Sequence, residues 1–210
     1  NVAREGPAIA LTRNTTDHLV ADIEALRRAL SITGKMHVFG GSWGSMLALV
    51  YAIRHPAQVA TLVLRGIFIG GRRDLHYLYQ GNAASYAQDP TGLTEPGAYV
   101  AYPDEWKSYV TAITPADRGD MMAAYKAIFD QVPVDDAGRD AQWRVAMAWS
   151  AWEGAISNLI PQGEDLGKFG DPVGALCLAQ IEAHYFANDL FLEPDYILRN
   201  VRQLAQIPVH

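Results

Sequence analysis

Hydrophobic positions along the first seventy residues switch between a helical and an extended period. In NTTDHLVADIEALRRAL, starting at Asn14, the apolar residues Leu19, Val20, Ile23, Leu26 and Leu30 recur at helical spacing behind Asn, Thr and Asp, which are capping residues. The pattern predicts an amphipathic helix ending near Gly34. Met36 to Phe39 is a short apolar run closed by Gly40 and Gly41. Met46 to Arg54 resumes the helical period until His55-Pro56 stops it, and Val59 to Leu64 reads as a buried β-branched strand. Helix, strand, helix, strand in close succession predicts a parallel sheet covered by helices, an α/β architecture.

After Arg72-Arg73 the pattern turns helical and aromatic, with loops marked by Asp89-Pro90, Glu95-Pro96, Tyr102-Pro103 and Gly170-Asp171-Pro172. Trp106, Trp143, Trp149 and Trp152 all lie in this part, and no run of buried strands is visible. The expected organisation is a sheet core over residues 1–72, an inserted helical cap over 73–202 and a return towards the sheet over 203–210. A cap above the carboxyl ends of parallel strands would close a pocket where open α/β sheets bind ligands.

Composition narrows the partners. The 210 residues are half apolar, enough for a full core, and carry a net charge of -6. With no Lys/Arg-rich run, nucleic acid and anionic membranes are not expected partners. The uncharged run from Met36 to Ile53 is broken by three glycines and two serines, so it does not read as a membrane span. The single cysteine, Cys177, excludes an internal disulfide and fits a reducing, cytoplasmic setting. Its apolar neighbours favour a small buried hydrophobe over a nucleophile. The chain starts with Asn and stops at Ile207-Pro208-Val209-His210, which looks like the entry to a strand, so the lack of a leader says little about location.

Gly40-Gly41-Ser42-Trp43-Gly44 is a G-x-S-x-G motif with an apolar strand before it and a helix after it. That context fits a nucleophile elbow, a sharp turn that lifts a serine hydroxyl above the sheet. The alternative is a chance glycine-serine turn. In the elbow reading both Gly40 and Gly44 are required sterically, and the N–H of Trp43 supplies half of an oxyanion hole. A serine nucleophile needs a histidine base and an orienting acid, which follow it in chain order in this architecture. His55 reads as a helix cap, His76 and His184 fall within the helical lobe, and His210 is the last residue, so no triad base is evident.

Two acids stand out. Glu153 in VAMAWSAWEGAISNL and Glu182 in ALCLAQIEAHYFAN lie in apolar, aromatic surroundings where an ionised carboxylate is costly unless paired. One reading pairs each with an internal arginine such as Arg65. Alternatively, both anchor a cationic ligand and confine attack to the bond beside a free N-terminus.

Taken together, FGGSWGS, LRGIF, AWSAWEGA, QIEAHYF and FLEPDYILRN resemble the proline iminopeptidase (prolyl aminopeptidase) family, serine peptidases of the α/β-hydrolase superfamily. The resemblance runs through nearly the whole chain. It implies an α/β-hydrolase sheet, incomplete in this chain, with an inserted helical cap, and release of N-terminal proline from peptides with no metal or organic cofactor. It makes Ser42 the nucleophile and has Glu153 and Glu182 bind the imino nitrogen. Phe68, Phe186 and a tyrosine of the Tyr77 to Tyr79 stretch, taken as Tyr79, would wall the pyrrolidine pocket, with Arg65 as a partner of the glutamates. The family's HGGPG segment would precede the first residue, and its GRYD aspartate and glycine-histidine would follow the last. Two other readings stay open: an esterase or amidase of the same superfamily, and a non-catalytic fragment.

Overall fold

A computed structural model describes residues 10–89, 96–158 and 172–210. The loop signals at Pro90, Glu95 and Gly170-Asp171 lie outside the described residues. The chain divides into two compact units, one of Arg13–Asp74 with Asp189–His210, the other built on Leu75–Asn188 together with the N-terminal residues up to Thr12. Residues 189–202, grouped with the cap by their helical period, thus pack with the sheet.

In the sheet-bearing unit, α1 (Thr16–Ala29) leads to β1 (Met36–Gly41), α2 (Trp43–Arg54), β2 (Val59–Arg65) and the short α3 (Arg72–Leu75), which reaches the unit boundary; α8 (Tyr196–Asn200) belongs to the returning segment. β1 and β2 pair in parallel from Met36↔Val59 to Gly41↔Arg65, with one irregularity after Met36. On the far side of β2, the Leu62 N–H donates to the Pro208 carbonyl at 2.9 Å and the Leu64 N–H to that of His210 at 2.8 Å. Residues 208–210 therefore add a third parallel strand position at Val209.

α2 connects two parallel strands and is buried nearly all round, from Met46 through Ile53, as expected of a helix apolar on every side. Val38, Gly40, Leu62 and Leu64 occupy one face of the ladder, and Gly40 lies against Ala48 of α2. The opposite face carries His37 bonded to Thr61 at 2.7 Å and, beside them, Phe39 at 70% and Val63 at 38% exposure. The expected fully buried strand is thus covered on one face only among the described residues.

The face α1 seats is also different from the expected apolar stripe. Leu26 and Leu30 are exposed, whereas Thr16, Val20 and Glu24 are buried at four-residue intervals. Glu24 goes inside because it is fully partnered: Arg27 bonds both its oxygens at 2.9 and 3.0 Å, and the Tyr51 hydroxyl on α2 donates at 2.7 Å. These bonds, Arg27 first, hold its pKa down to about 2.

The second unit is helical throughout its described part. α3 runs into a π-turn, His76–Gln80, followed by α4 (Pro103–Thr111), α5 (Met121–Phe129), α6 (Asp136–Ile156) and α7 (Pro172–Phe186). Asp120 and Asp135 cap α5 and α6, accepting from the N–H groups of Ala123 and Gly138. The core is aromatic: Trp106, Tyr109, Tyr125, Phe129, Trp149 and Trp152 are at most 1% exposed. Four of the buried polar tips find a carbonyl or amide, Trp106 on Asn82, Trp152 on the Leu78 carbonyl, Tyr109 on that of Tyr79 and Tyr125 on that of Tyr109. Three of these anchors lie within residues 78–82, so the helices hold the π-turn and aim Tyr79 inward. The turn ends at Gly81, where φ is +43° and a Cβ would sit 2.5 Å from the Tyr99 ring, a position only glycine fills without strain.

Candidate active site

Ser42 is placed by a backbone that few residues adopt. Its φ of 53° and ψ of -125° lie between the end of β1 and the start of α2, a strained combination that persists only where the surroundings enforce it. Two contacts do so. The Ser42 N–H donates to the Arg65 carbonyl at 2.8 Å, extending the β1–β2 ladder to the turn itself. The fully buried Ser45 hydroxyl donates to the Ser42 carbonyl at 2.6 Å and accepts from the Phe68 N–H at 2.9 Å, tying the elbow to the loop after β2.

Gly40 is required here, since a Cβ would lie 2.3 Å from the Gly44 carbonyl oxygen. The matching expectation for Gly44 does not hold: its Cβ would meet nothing within 4 Å. The asymmetry is geometric, because the Gly44 backbone itself fills the space that a residue-40 side chain would need. Trp43 opens α2, so its N–H lies at the positive end of a twelve-residue helix. Among the described residues the Ser42 hydroxyl forms no hydrogen bond.

No histidine pairs with that hydroxyl. His55 caps α2 and lies 5.2 Å from the Tyr51 ring, His37 bonds Thr61, His18 bonds Thr15 and His210 sits in the third strand position. His76 is exposed, and the His184 ring meets Tyr185 edge-on.

The helical unit brings together Tyr79, Glu153, Glu182 and Phe186. Glu153 on α6 and Glu182 on α7 keep partial exposure. Tyr79 stacks on Trp149 with centroids 5.5 Å apart and tilts against Phe186 at 4.6 Å, which gives one aromatic wall. Glu182 accepts from the Trp149 indole N–H at 2.6 Å, and the Tyr79 hydroxyl lies close enough to Glu153 to favour its charged form. The remaining oxygen of Glu153, Oε1, is buried with no partner. Neither carboxylate forms an ion pair among the described residues.

Electrostatics follow from that shortage of positive charge. Burial pushes Glu153 up from 4.5 to about 7, the Tyr79 bond opposing it. Glu182 is raised well above the usual carboxylate range by burial and then by Glu153, with the Trp149 bond working against both. Tyr79 is raised as well, chiefly by burial, so its phenol stays protonated and donates. Two carboxylates that resist ionisation together, beside aromatic rings and without a counter-ion among the described residues, carry an unbalanced cost that a nearby positive charge would relieve.

The other expected site residues lie in the sheet-bearing unit. Arg65 ends β2 and is exposed, and Phe68 follows in the loop bonded to Ser45. Tyr77, the alternative wall residue, is half exposed, which leaves Tyr79 as the buried one. Trp149 and Ser45 escaped the sequence reading. Trp149 stands four residues before Glu153 on one helix face, and that spacing was the signal available.

The alpha/beta hydrolase fold family matches residues 1–156, a span holding the elbow, both strands and Glu153. The chain belongs to that family. Within it, the chain is similar to a proline iminopeptidase of Xylella fastidiosa (strain Temecula1 / ATCC 700964), 44% identical over 98% of this chain and 59% of the relative. It is also similar to a probable proline iminopeptidase of Leptolyngbya boryana, at 39% over 96% and 57%, and to a proline iminopeptidase of Arabidopsis thaliana, at 37% over 96% and 48%. The chain thus spans between about half and three-fifths of the length of these alpha/beta hydrolase relatives. No helix among the described residues is long and apolar enough to cross a membrane.

Proposed function

We propose that the protein is a serine aminopeptidase that releases N-terminal proline from peptides. The observation that carries the reading is the carboxylate pair: two half-buried glutamates beside Tyr79 and Phe186, with Glu153 Oε1 unpartnered and no cation among the described residues to balance them. A prolyl N-terminus offers a secondary ammonium on a small, puckered apolar ring. The names printed for the similar proteins support the same substrate.

In this reading Glu153 and Glu182 bind the imino nitrogen, while Tyr79, Phe186 and Phe68 hold the pyrrolidine ring. The Ser42 oxygen attacks the prolyl carbonyl; its proton passes to a base and on to the departing amine as the C–N bond breaks. The Trp43 N–H stabilises the oxyanion of the tetrahedral intermediate. Water then cleaves the prolyl ester on Ser42 and releases proline. The resemblance also makes Arg65, exposed at the end of β2, a partner of the glutamates.

The test is hydrolysis of a prolyl anilide by the protein and by its Glu153→Gln and Glu182→Gln variants. Both variants should lose at least about a hundredfold in kcat/KM, since a neutral amide does not balance an ammonium. Normal turnover by both variants would contradict the anchoring role.

A further inference from the structure

The residue that touches most of the proposed pocket is one the reaction itself does not use. Trp149 lies at 0% exposure on α6, one turn before Glu153. Five rings surround it: Tyr79 stacked at 5.5 Å, Phe186 at 6.1 Å, Tyr125 edge-on at 4.9 Å, Tyr109 at 5.8 Å and Phe129 at 6.5 Å. So enclosed, the indole has no other rotamer to adopt without displacing the core. Its only polar atom points at Glu182 Oε2, 2.6 Å away.

We propose that Trp149 is a positioning residue: its indole N–H commits one oxygen of Glu182 to the protein and presents the other, with Glu153, to a bound ammonium or imino cation. This rests on the prolyl-aminopeptidase reading for the identity of the cation, though not for the hydrogen bond. Among the described residues, the titratable groups that act on or pack around the Trp149–Glu182 pair are Glu153 on α6, Tyr79 on the π-turn, Tyr109 on α4 and Tyr125 on α5, with His184 and Tyr185 following on α7 itself, and no ion pair reaches Glu182. The indole is therefore the one donor shown to favour the charged form of Glu182, and removing it should drive that carboxyl further up. A free Glu182 rotamer would also lose the geometry that pairs it with Glu153.

Trp152 supplies a matched control. It is equally buried in the same aromatic core, and its indole N–H donates at 2.9 Å, but to the Leu78 carbonyl rather than a carboxylate. Trp149→Phe and Trp152→Phe each delete one buried indole hydrogen bond, so both should lose stability. Trp149→Phe should raise KM for a prolyl anilide by about tenfold with a smaller change in kcat, and by more than Trp152→Phe, which reaches the pocket only through the Leu78 anchor of the π-turn. Trp149→Phe alone should shift the titration of the Glu182 side-chain carboxyl, followed by carbon NMR, upward by about one pH unit.

The wild-type protein gives a readout that needs no variant. Of its five indole N–H resonances, that of Trp149 should move with the Glu182 titration and move again on saturation with L-prolinamide, while that of Trp152 should do neither. Absence of prolyl-anilide hydrolysis would remove the substrate reading and leave the carboxyl titration to judge the positioning role. A Trp149 indole signal indifferent to that titration, or equal KM and carboxyl titration in the two Phe variants, overturns the proposal.

Discussion

Replacing Glu153 by Gln should stabilise the protein while disabling its pocket, and the pH dependence carries the argument. Glu153 is held at about 7 in the folded protein against 4.5 for an ordinary carboxyl, chiefly by burial. An acid raised on folding binds more protons in the native than in the unfolded state between those values. Native stability therefore falls as pH rises from about 4.5 through about 7 and stays low above it. At about 1.4 kcal/mol per pH unit of displacement, the cost at pH 8 is at most about 3.5 kcal/mol. Partial exposure of Glu153 brings the expected figure to about 1–2 kcal/mol. Glutamine keeps an oxygen to accept from the Tyr79 hydroxyl and removes the titration. Urea unfolding at pH 5, 6, 7 and 8 should show wild type and Glu153→Gln nearly equal at pH 5, with the variant progressively more stable above it. L-prolinamide should narrow the gap by stabilising only the wild type. A difference independent of pH, or a variant less stable than wild type at pH 8, would refute the claim that this carboxylate is stranded without a counter-charge.

The elbow gives a pair of opposite outcomes from residues that look alike in sequence. Gly40→Ala should cost more than about 3 kcal/mol in chemical unfolding, because the Gly44 carbonyl cannot move out of α2. Gly44→Ala, in an open helical position, should be neutral or stabilising by up to about 1 kcal/mol. Ser42→Gly should abolish labelling by a fluorophosphonate probe yet raise stability by about 1 kcal/mol, since glycine accepts φ 53°, ψ -125° readily; an unchanged or lower midpoint would mean that the turn is not strained. Tyr51→Phe should cost about 1–2 kcal/mol at pH 7. The contribution of Glu24, whose pKa is depressed, is present above about 4.5 and disappears as pH falls towards about 2, so the gap between Tyr51→Phe and wild type should narrow in acid unfolding.

What the chain disclosed about itself depended on range. The elbow is a local object: strand, Gly-x-Ser-x-Gly and helix lie within twenty residues, and Ser42 was identifiable from neighbours alone. The unequal burdens on Gly40 and Gly44 were not, because they depend on which backbone approaches which when α2 folds back on β1. Leu26 and Leu30 satisfied the helical period that suggested a buried stripe, yet Glu24 took the interior because Arg27 and Tyr51 partner it, and periodicity counts apolar residues without seeing such partners. Glu153 and Glu182 were conspicuous as charges in apolar stretches, and the packing of α6 against α7 turned two separate oddities into one site. For Trp149 the sequence offered only its spacing from Glu153, since the acceptor of its indole proton is thirty-three residues away.

The central claim is that the pocket reads a positively charged N-terminus beside a serine nucleophile. The most direct measurement is the ratio of kcat/KM for a prolyl anilide to that for its N-acetylated counterpart. The carboxylate pair predicts a ratio above about 10³, because acetylation removes the cation and leaves both glutamates unbalanced. A ratio near one would contradict the account and point to an acyl hydrolase indifferent to the charge.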